Sequence, residues 1–278
     1  MRQFCLLSLA VAAAAAFATP ASAADTLSVG YSISFWAVTF GQTDYEVTFG
    51  NGGYNAKSHF TTEGIVSVFW NSTIDATASG RIGPHSIAPG VYDSYSQDHH
   101  SKVQRVKVTF DNDDPQTLAE PPYNTTKYPV TDEQKKDAVD PMSAITAILT
   151  GVTVDAKNPC GAGVKVYDGR RRYNVTFSYV KDEPLKLGNG LYSGTAHLCQ
   201  VHYDQIAGYK QKIIKEGKAL PPMYADFVDV PAQGAPGGRY VVAAKLWTAL
   251  TWGTVSAELS ALSVDGAKPQ FAAAGSPS

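Results

Sequence analysis

The sequence predicts a mainly β protein: a single antiparallel, strongly curved sheet, an incomplete barrel or β-spiral, with one short helix packed against it. Three observations carry this prediction. Aromatic and β-branched residues alternate with polar ones at period two along most of the chain, as in strands that bury one face. Asn-Gly and Asp-Gly pairs fall between several of these runs, where tight hairpins need them. Only one stretch has convincing helical spacing.

The first 23 residues stand apart. Arg2 precedes the apolar run "FCLLSLAVAAAAAF", and Pro20 and Ala21-Ser22-Ala23 follow, so a secretory signal peptide cut after Ala23 is expected. Its apolar core is short of the ~20 residues that a membrane-spanning helix requires, and no other long uncharged apolar run follows. The expected organisation is a signal peptide over 1–23, a β-rich domain over 24–266 and a disordered tail over 267–278. The alanine-rich style of the leader points to a bacterial protein that is periplasmic or secreted.

Strands follow in order. Val29, Tyr31, Ile33 and Phe35 alternate with Gly30, Ser32 and Ser34, and Tyr45, Val47 and Phe49 alternate with Asp44, Glu46 and Thr48. Asn51-Gly52 then closes a hairpin with "YNAKSHF". Further strands are expected at "IVSVFW", at "KVQRVKVTF", around Tyr173 to Tyr179, and at "GTAHLCQVHY" after an Asn189-Gly190 turn. "RYVVAAKLWTAL" and "GTVSAELSAL" make a final pair, the second with Val255, Ala257, Leu259 and Ala261 on one face. The helix is expected at 140–150: Asp140 caps it, Pro141 suits its first turn, and Met142, Ile145, Ile148 and Leu149 form its apolar stripe before Gly151. The preceding "DNDDPQTLAEPPYNTTKYPVTDEQ" is too rich in Pro, Asp and Asn for a strand and is expected to be a long surface crossing.

Removing Arg2 from the 23 basic residues leaves 22 against 25 acidic ones. With no basic excess to neutralise phosphates, nucleic acid is not an expected partner. The leader takes Cys5 with it, leaving Cys160 and Cys199, which an oxidising compartment is expected to join in a disulfide.

The three consecutive arginines of "KVYDGRRRYNVTF" need an explanation in a slightly acidic chain. If Asp168-Gly169 is a two-residue turn, Tyr167 faces Arg170, Val166 faces Arg171, Lys165 faces Arg172 and Val164 faces Tyr173. Lys165 and Arg172 are then like charges set across from each other, which costs stability unless something negative lies near. Arg171 is left among Val164, Val166 and Tyr173. The negative partner is either a carboxylate of the protein, such as Asp182, Glu183 or the acidic crossing, or an anionic ligand held by Lys165, Arg170, Arg171 and Arg172. Surface charge runs are commonly solvated or internally paired, so the first reading ranks ahead.

Four segments in order, "DPMSAI", "VYDGRRRYNV", "CQVHYDQIAGYK" and "TWGTVSAEL", resemble the bacterial DUF3108 family, a domain of unknown function. The resemblance implies an exported, β-rich envelope protein and brings no catalytic residues, cofactor or substrate with it. The residues add none. The sequence has no nucleophile elbow, no Walker loop and no H-E-x-x-H pattern. His99 and His100 are adjacent and would point to opposite faces of a strand, and His197 and His202 also fall on opposite faces, so no metal site is expected. The functional expectation is an envelope protein without catalysis or cofactor. It would bind a lipid, lipopolysaccharide or other anionic envelope component, or help maintain envelope integrity. The alternatives are a hydrolase of envelope polymers, which needs a cleft with paired carboxylates, and a purely structural protein-interaction module.

Overall fold

The computed structural model describes residues 25–36, 38–64, 67, 71–111, 114–154, 158–216, 221–269 and 271. The expected signal peptide lies outside these residues, as do residue 270, residues 272–278 of the expected tail, and all of "IVSVFW" except Ser67. Beyond residue 266, Ala267 bridges to Val264, and the Phe271 ring packs edge-on against Tyr192.

Thirteen strands form one antiparallel sheet. They are β1 (Thr26–Phe35), β2 (Val38–Gly50), β3 (Gly53–Thr62), β4 (Thr73–Gly83), β5 (Ser86–Gln97), β6 (Val103–Asp111), β7 (Asp114–Glu120), β8 (Val164–Tyr167), β9 (Arg172–Lys186), β10 (Ser193–Ala207), β11 (Met223–Pro231), β12 (Arg239–Leu250) and β13 (Gly253–Val264). Their spatial order is β7-β6-β5-β4-β3-β2-β1-β13-β12-β11-β10-β9-β8. The chain thus builds one meander outward from β1 to β7. A second runs inward from β8 to β13 and zips onto β1, so every strand pairs with its sequence neighbours except at that seam and at the two ends. Curvature brings the ends together: the Tyr167 hydroxyl of β8 lies 3.0 Å from Thr117 Oγ1 of β7.

Short helices accompany the sheet: α1 (Asp132–Lys135), α2 (Pro141–Leu149) and α3 (Gln211–Glu216). Helix α2 is the expected packed helix, with Pro141 in its first turn and the Asp140 carboxylate accepting the Ser143 N–H at 2.9 Å. It lies against β3, β4, β5, β8 and β12. The inner faces of β3 and β4 carry Ala56, Ala76 and Ala78, all buried, and small side chains let a helix approach closely. Tyr45 and Tyr54 reach the helix from β2 and β3. Tyr45 Oη bonds the Met142 carbonyl at 3.0 Å and Thr146 Oγ1 at 2.6 Å, and Tyr54 Oη meets Ser143 Oγ at 2.5 Å. Ser143 in turn donates to Asp140. Every polar group the helix brings inside therefore has a partner in this network. Ile145 departs from the expected stripe: it is exposed, while Ser143, Ala144, Thr146 and Ala147 are buried. The curved sheet surrounds the helix on a wide arc, and its tyrosines accept polar residues on what a flat sheet would demand be apolar.

The other departures have local causes. The expected crossing contains a strand, β7, with Pro115 as its second residue; proline lacks an N–H, and an edge strand tolerates that. In β13 the register against β1 shifts between Gly30 and Tyr31, so Leu262 rather than Ala261 follows Leu259 into the core. Cys160 and Cys199 form a disulfide that ties the segment after α2 to β10, beside Phe177, Phe227 and Val241.

Candidate functional site

The arginine segment sits where the two ends of the sheet meet. The pairing is Val164↔Val175, Lys165↔Asn174, Val166↔Tyr173 and Tyr167↔Arg172. The turn therefore has four residues, Asp168 to Arg171, and the expected two-residue hairpin is corrected. Its physical reason is visible at Asp168. The carboxylate Oδ1 accepts the N–H groups of Arg170 (2.9 Å) and Arg171 (2.6 Å), and the Asp168 N–H donates to the Arg171 carbonyl, so an Asx-type cap closes a wider loop. Burial pushes the Asp168 carboxyl up, against the backbone donors and both guanidinium groups. Gly169 has φ 88°, and a Cβ there would lie 2.6 Å from Val106 Cγ1 of β6, so only glycine lets the turn tip rest on the opposite end of the sheet.

The wider turn separates the residues that the sequence grouped. Lys165 faces Asn174, so the opposed like charges do not arise, and its Nζ lies 3.3 Å from Asp137 Oδ2. Arg172 is only 5 % exposed. Its Nε donates to the Gln134 carbonyl at 2.9 Å, and Nη1 donates to the Tyr173 carbonyl at 2.5 Å and to Asn174 Oδ1 at 2.8 Å. Burial pulls its pKa down. Arg171 does not intrude on the apolar face: its guanidinium lies over the Tyr209 ring at 5.4 Å, and Tyr209 is bonded to Tyr203 at 2.6 Å. Arg170 lies over Tyr123 at 5.1 Å, on the other side of the turn.

Arg170 opens onto a cleft of about 470 Å³ between β7, the turn and the segment before α1. Thr117, Tyr123, Thr125 and Tyr167 line it, together with a second cation, Lys135, that sequence reasoning did not single out. Lys135 is 2.8 Å from Asp132 and lies over the Tyr167 ring at 5.8 Å. Only the capping box of α1, Thr131 with Gln134, could have flagged that short helix and so its lysine.

A larger concavity, about 950 Å³, lies along β1–β6 and β13, with Leu191 and Lys268 at its border, and includes none of the three arginines. Its side chains form cross-strand rows, Asp44–His59–Asp75–Tyr95–Arg105 and Glu46–Lys57–Thr77–Asp93. Three contacts join these rows: the ion pairs of Lys57 with Glu46 at 2.9 Å and Arg105 with Asp93 at 2.7 Å, and a hydrogen bond between His59 and Asp75 at 2.7 Å. Such ladders stabilise neighbouring strands and leave little net charge for a ligand. Among the described residues, no group of three or more His, Cys, Asp or Glu side chains is placed to hold a metal ion.

A family model described as a protein of unknown function, DUF3108, matches residues 30–220, which include α2, both cysteines and the arginine turn. The chain belongs to the DUF3108 family. The closing segment that resembles the family, at 251–259, lies beyond the matched span. No curated protein matches the chain. Among solved structures, it is similar to the crystal structure of a β-barrel-like protein of another domain of unknown function, DUF1849, from Brucella abortus. The TM-score is 0.50 and the identity 9 %, over 88 % of this chain and 98 % of that one. At that identity the likeness concerns the fold alone, and it agrees with a curved sheet whose ends nearly meet.

Proposed function

We propose that this DUF3108 protein is an exported envelope protein that acts by binding, and that the cleft beside the arginine turn takes an anionic head group of an envelope component, a lipid or lipopolysaccharide phosphate. One observation carries the reading: Arg170 and Lys135, from elements far apart in sequence, converge on one cleft whose other polar side chains are neutral, Gln116 and the hydroxyls of Thr117, Thr125, Tyr123 and Tyr167. Two cations with hydroxyl donors around them suit a phosphate: Arg170 is held over the Tyr123 ring, and Lys135, held over Tyr167, can exchange its exposed Asp132 partner for the anion. The disulfide supports export, because such bonds persist outside the reducing cytoplasm. Arg171, Arg172 and Lys165 are assigned to the fold instead. Isothermal titration of residues 24–278 with dihexanoyl phosphatidylglycerol, and with dihexanoyl phosphatidylcholine as control, tests the proposal. The anionic lipid should bind more tightly, and Arg170→Ala with Lys135→Ala should weaken it by about tenfold or more, the worth of a charge-assisted contact. Equal affinity for the two lipids, or an unchanged affinity in the double variant, would refute it.

A further inference from the structure

A second surface has no part in that cleft. Phe35 pairs with Val38 and Leu250 with Gly253, so the chain reverses tightly after β1, at Trp36, and after β12, at 251–252. Because β1 pairs with β13, and the Trp36 N–H donates to the Thr254 carbonyl at 2.9 Å, the turns stand side by side. Each carries a tryptophan at its tip. Trp36 is 69 % exposed and Trp252 73 %, with Val38 exposed beside them.

Local structure does not call for these side chains. Trp36 holds φ at 53°, a left-handed conformation that glycine or asparagine adopts with less strain and that is uncommon for a bulky residue. Its ring is nonetheless braced. It stacks on Phe35 with centroids 5.8 Å apart and planes 4° apart, and it lies so close over Gly253 that a Cβ there would be 2.3 Å from Nε1. A rigid, protruding, exposed indole contributes nothing to the core. The opposite end of the sheet differs: among the described residues, none of its turns carries an exposed large apolar side chain.

We infer that the end of the sheet carrying Trp36 and Trp252 docks on an anionic lipid bilayer, with both indoles at head-group depth. Tryptophan prefers that depth because its ring is apolar while its N–H seeks a polar partner. Two narrow tips suit a soft, deformable medium better than the flat face of a folded partner. On the β12 side the next connection at the same end adds positive charge: Lys210 and Lys212 follow β10, on a segment joined to β12 through Thr248 Oγ1 and the Pro222 carbonyl at 3.1 Å. Basic residues beside an interfacial aromatic draw a protein to anionic head groups. The inference shares with the proposed function only the premise of export, and does not depend on the cleft.

Flotation of residues 24–278 with vesicles of phosphatidylethanolamine and phosphatidylglycerol, compared with vesicles of phosphatidylcholine alone, tests it. The protein should float with the anionic vesicles, its tryptophan emission should shift to the blue, and lipids brominated near the head group should quench it. Trp36→Ser with Trp252→Ser should cut the bound fraction by about tenfold, since two interfacial anchors are lost, while thermal unfolding stays unchanged. Wild-type protein that does not float, or a double variant that floats equally well, would overturn the inference. So would a dimer in sedimentation velocity that the double variant abolishes without any vesicle binding, because the surface would then belong to a second copy. If Arg170→Ala with Lys135→Ala abolishes flotation and the tryptophan pair does not, the cleft alone holds lipid: the proposed function stands and this inference falls.

Discussion

Replacing Asp226 by asparagine should make the protein more stable near neutral pH. Asp226 sits on β11 between Leu198 of β10 and Lys245 of β12, only 3 % exposed, and its Oδ1 has no hydrogen-bond partner among the described residues. Burial pushes its carboxyl up to about 6 from an ordinary 3.8; the Glu183 carboxylate pushes the same way, and Lys245 and Lys181 oppose it. A folded-state pKa above the unfolded one means that the native protein binds the proton more tightly. Stability is then fully present below about 3.8, falls as the pH rises, and reaches its full deficit above about 6. A shift of roughly two units would correspond to about 3 kcal/mol at 1.36 kcal/mol per unit. Glu183 and the lysines are partly solvated, so about 1–2 kcal/mol is the magnitude to test.

Asparagine keeps the shape and carries no charge at any of these pH values, and its amide can donate to Glu183. Urea denaturation of wild type and Asp226→Asn at pH 4, 5, 6 and 7.5 measures the difference directly. The variant should gain about 1–2 kcal/mol at pH 7.5, and that advantage should shrink steadily between pH 6 and pH 4. A variant less stable than wild type at pH 7.5, or a difference that does not change with pH, would refute the reasoning, because Asp226 would then be contributing a favourable ionic contact.

Two further outcomes follow from the architecture. Removing the disulfide through Cys160→Ala with Cys199→Ala should cost about 4 kcal/mol by the chain-entropy relation for a separation of 39 residues, read as a lower urea midpoint that reducing agent no longer affects. Gly169→Ala forces a Cβ to within 2.6 Å of Val106 at a φ of 88°; it should destabilise by about 1–3 kcal/mol and speed limited proteolysis between β7 and α2, where a freed turn exposes the chain.

The sequence shows the fold where side chains obey one rule and hides it where two rules compete. β2, β3 and β6 alternate plainly because one face meets the core and the other meets solvent, whereas β12 buries Tyr240 to Ala244 without a break and was legible from its aromatic and β-branched content. β4, with the sequence "TIDATASGRIG", escaped notice because its inner positions are Ala76 and Ala78, chosen for the approach of α2 and weak as strand signals. β5 carries Pro89 and Gly90 at an irregular register, and β11 is covered on both faces, so Ala225, Asp226, Phe227 and Val228 are all buried and no alternation survives. The helix was legible from its cap and proline, but not its buried face, since Tyr45 and Tyr54 turn Thr146 and Ser143 into acceptable interior residues. At the candidate site the composition was legible and the geometry was not. Asp-Gly signals a tight turn, yet the Asp168 side chain captures two backbone N–H groups and opens the turn to four residues.

That opening decides what each arginine can do. A two-residue turn would have placed Arg170, Arg171 and Arg172 on paired strand positions; four residues leave Arg170 and Arg171 on either side of the loop and return only Arg172 to the ladder. Arg172 then bonds to neutral acceptors among the described residues, including the Gln134 carbonyl of α1, which fastens the segment between β7 and α2 to β9. The same segment closes the other gap: the Val139 N–H donates to the Lys165 carbonyl and the Val139 carbonyl accepts the Tyr167 N–H, so β8 is not left as a bare edge. The ends of the sheet therefore meet through side chains, one bridging residue and a resting turn, and not through a ladder of backbone bonds. A contact of this kind opens more readily than paired strands, because few hydrogen bonds must break together. Arg170 belongs to the turn and Lys135 to the closing segment, so an anion held between them would tie the two sides of the seam. By linkage, such a ligand must stabilise the closed sheet by as much as closure strengthens its own binding.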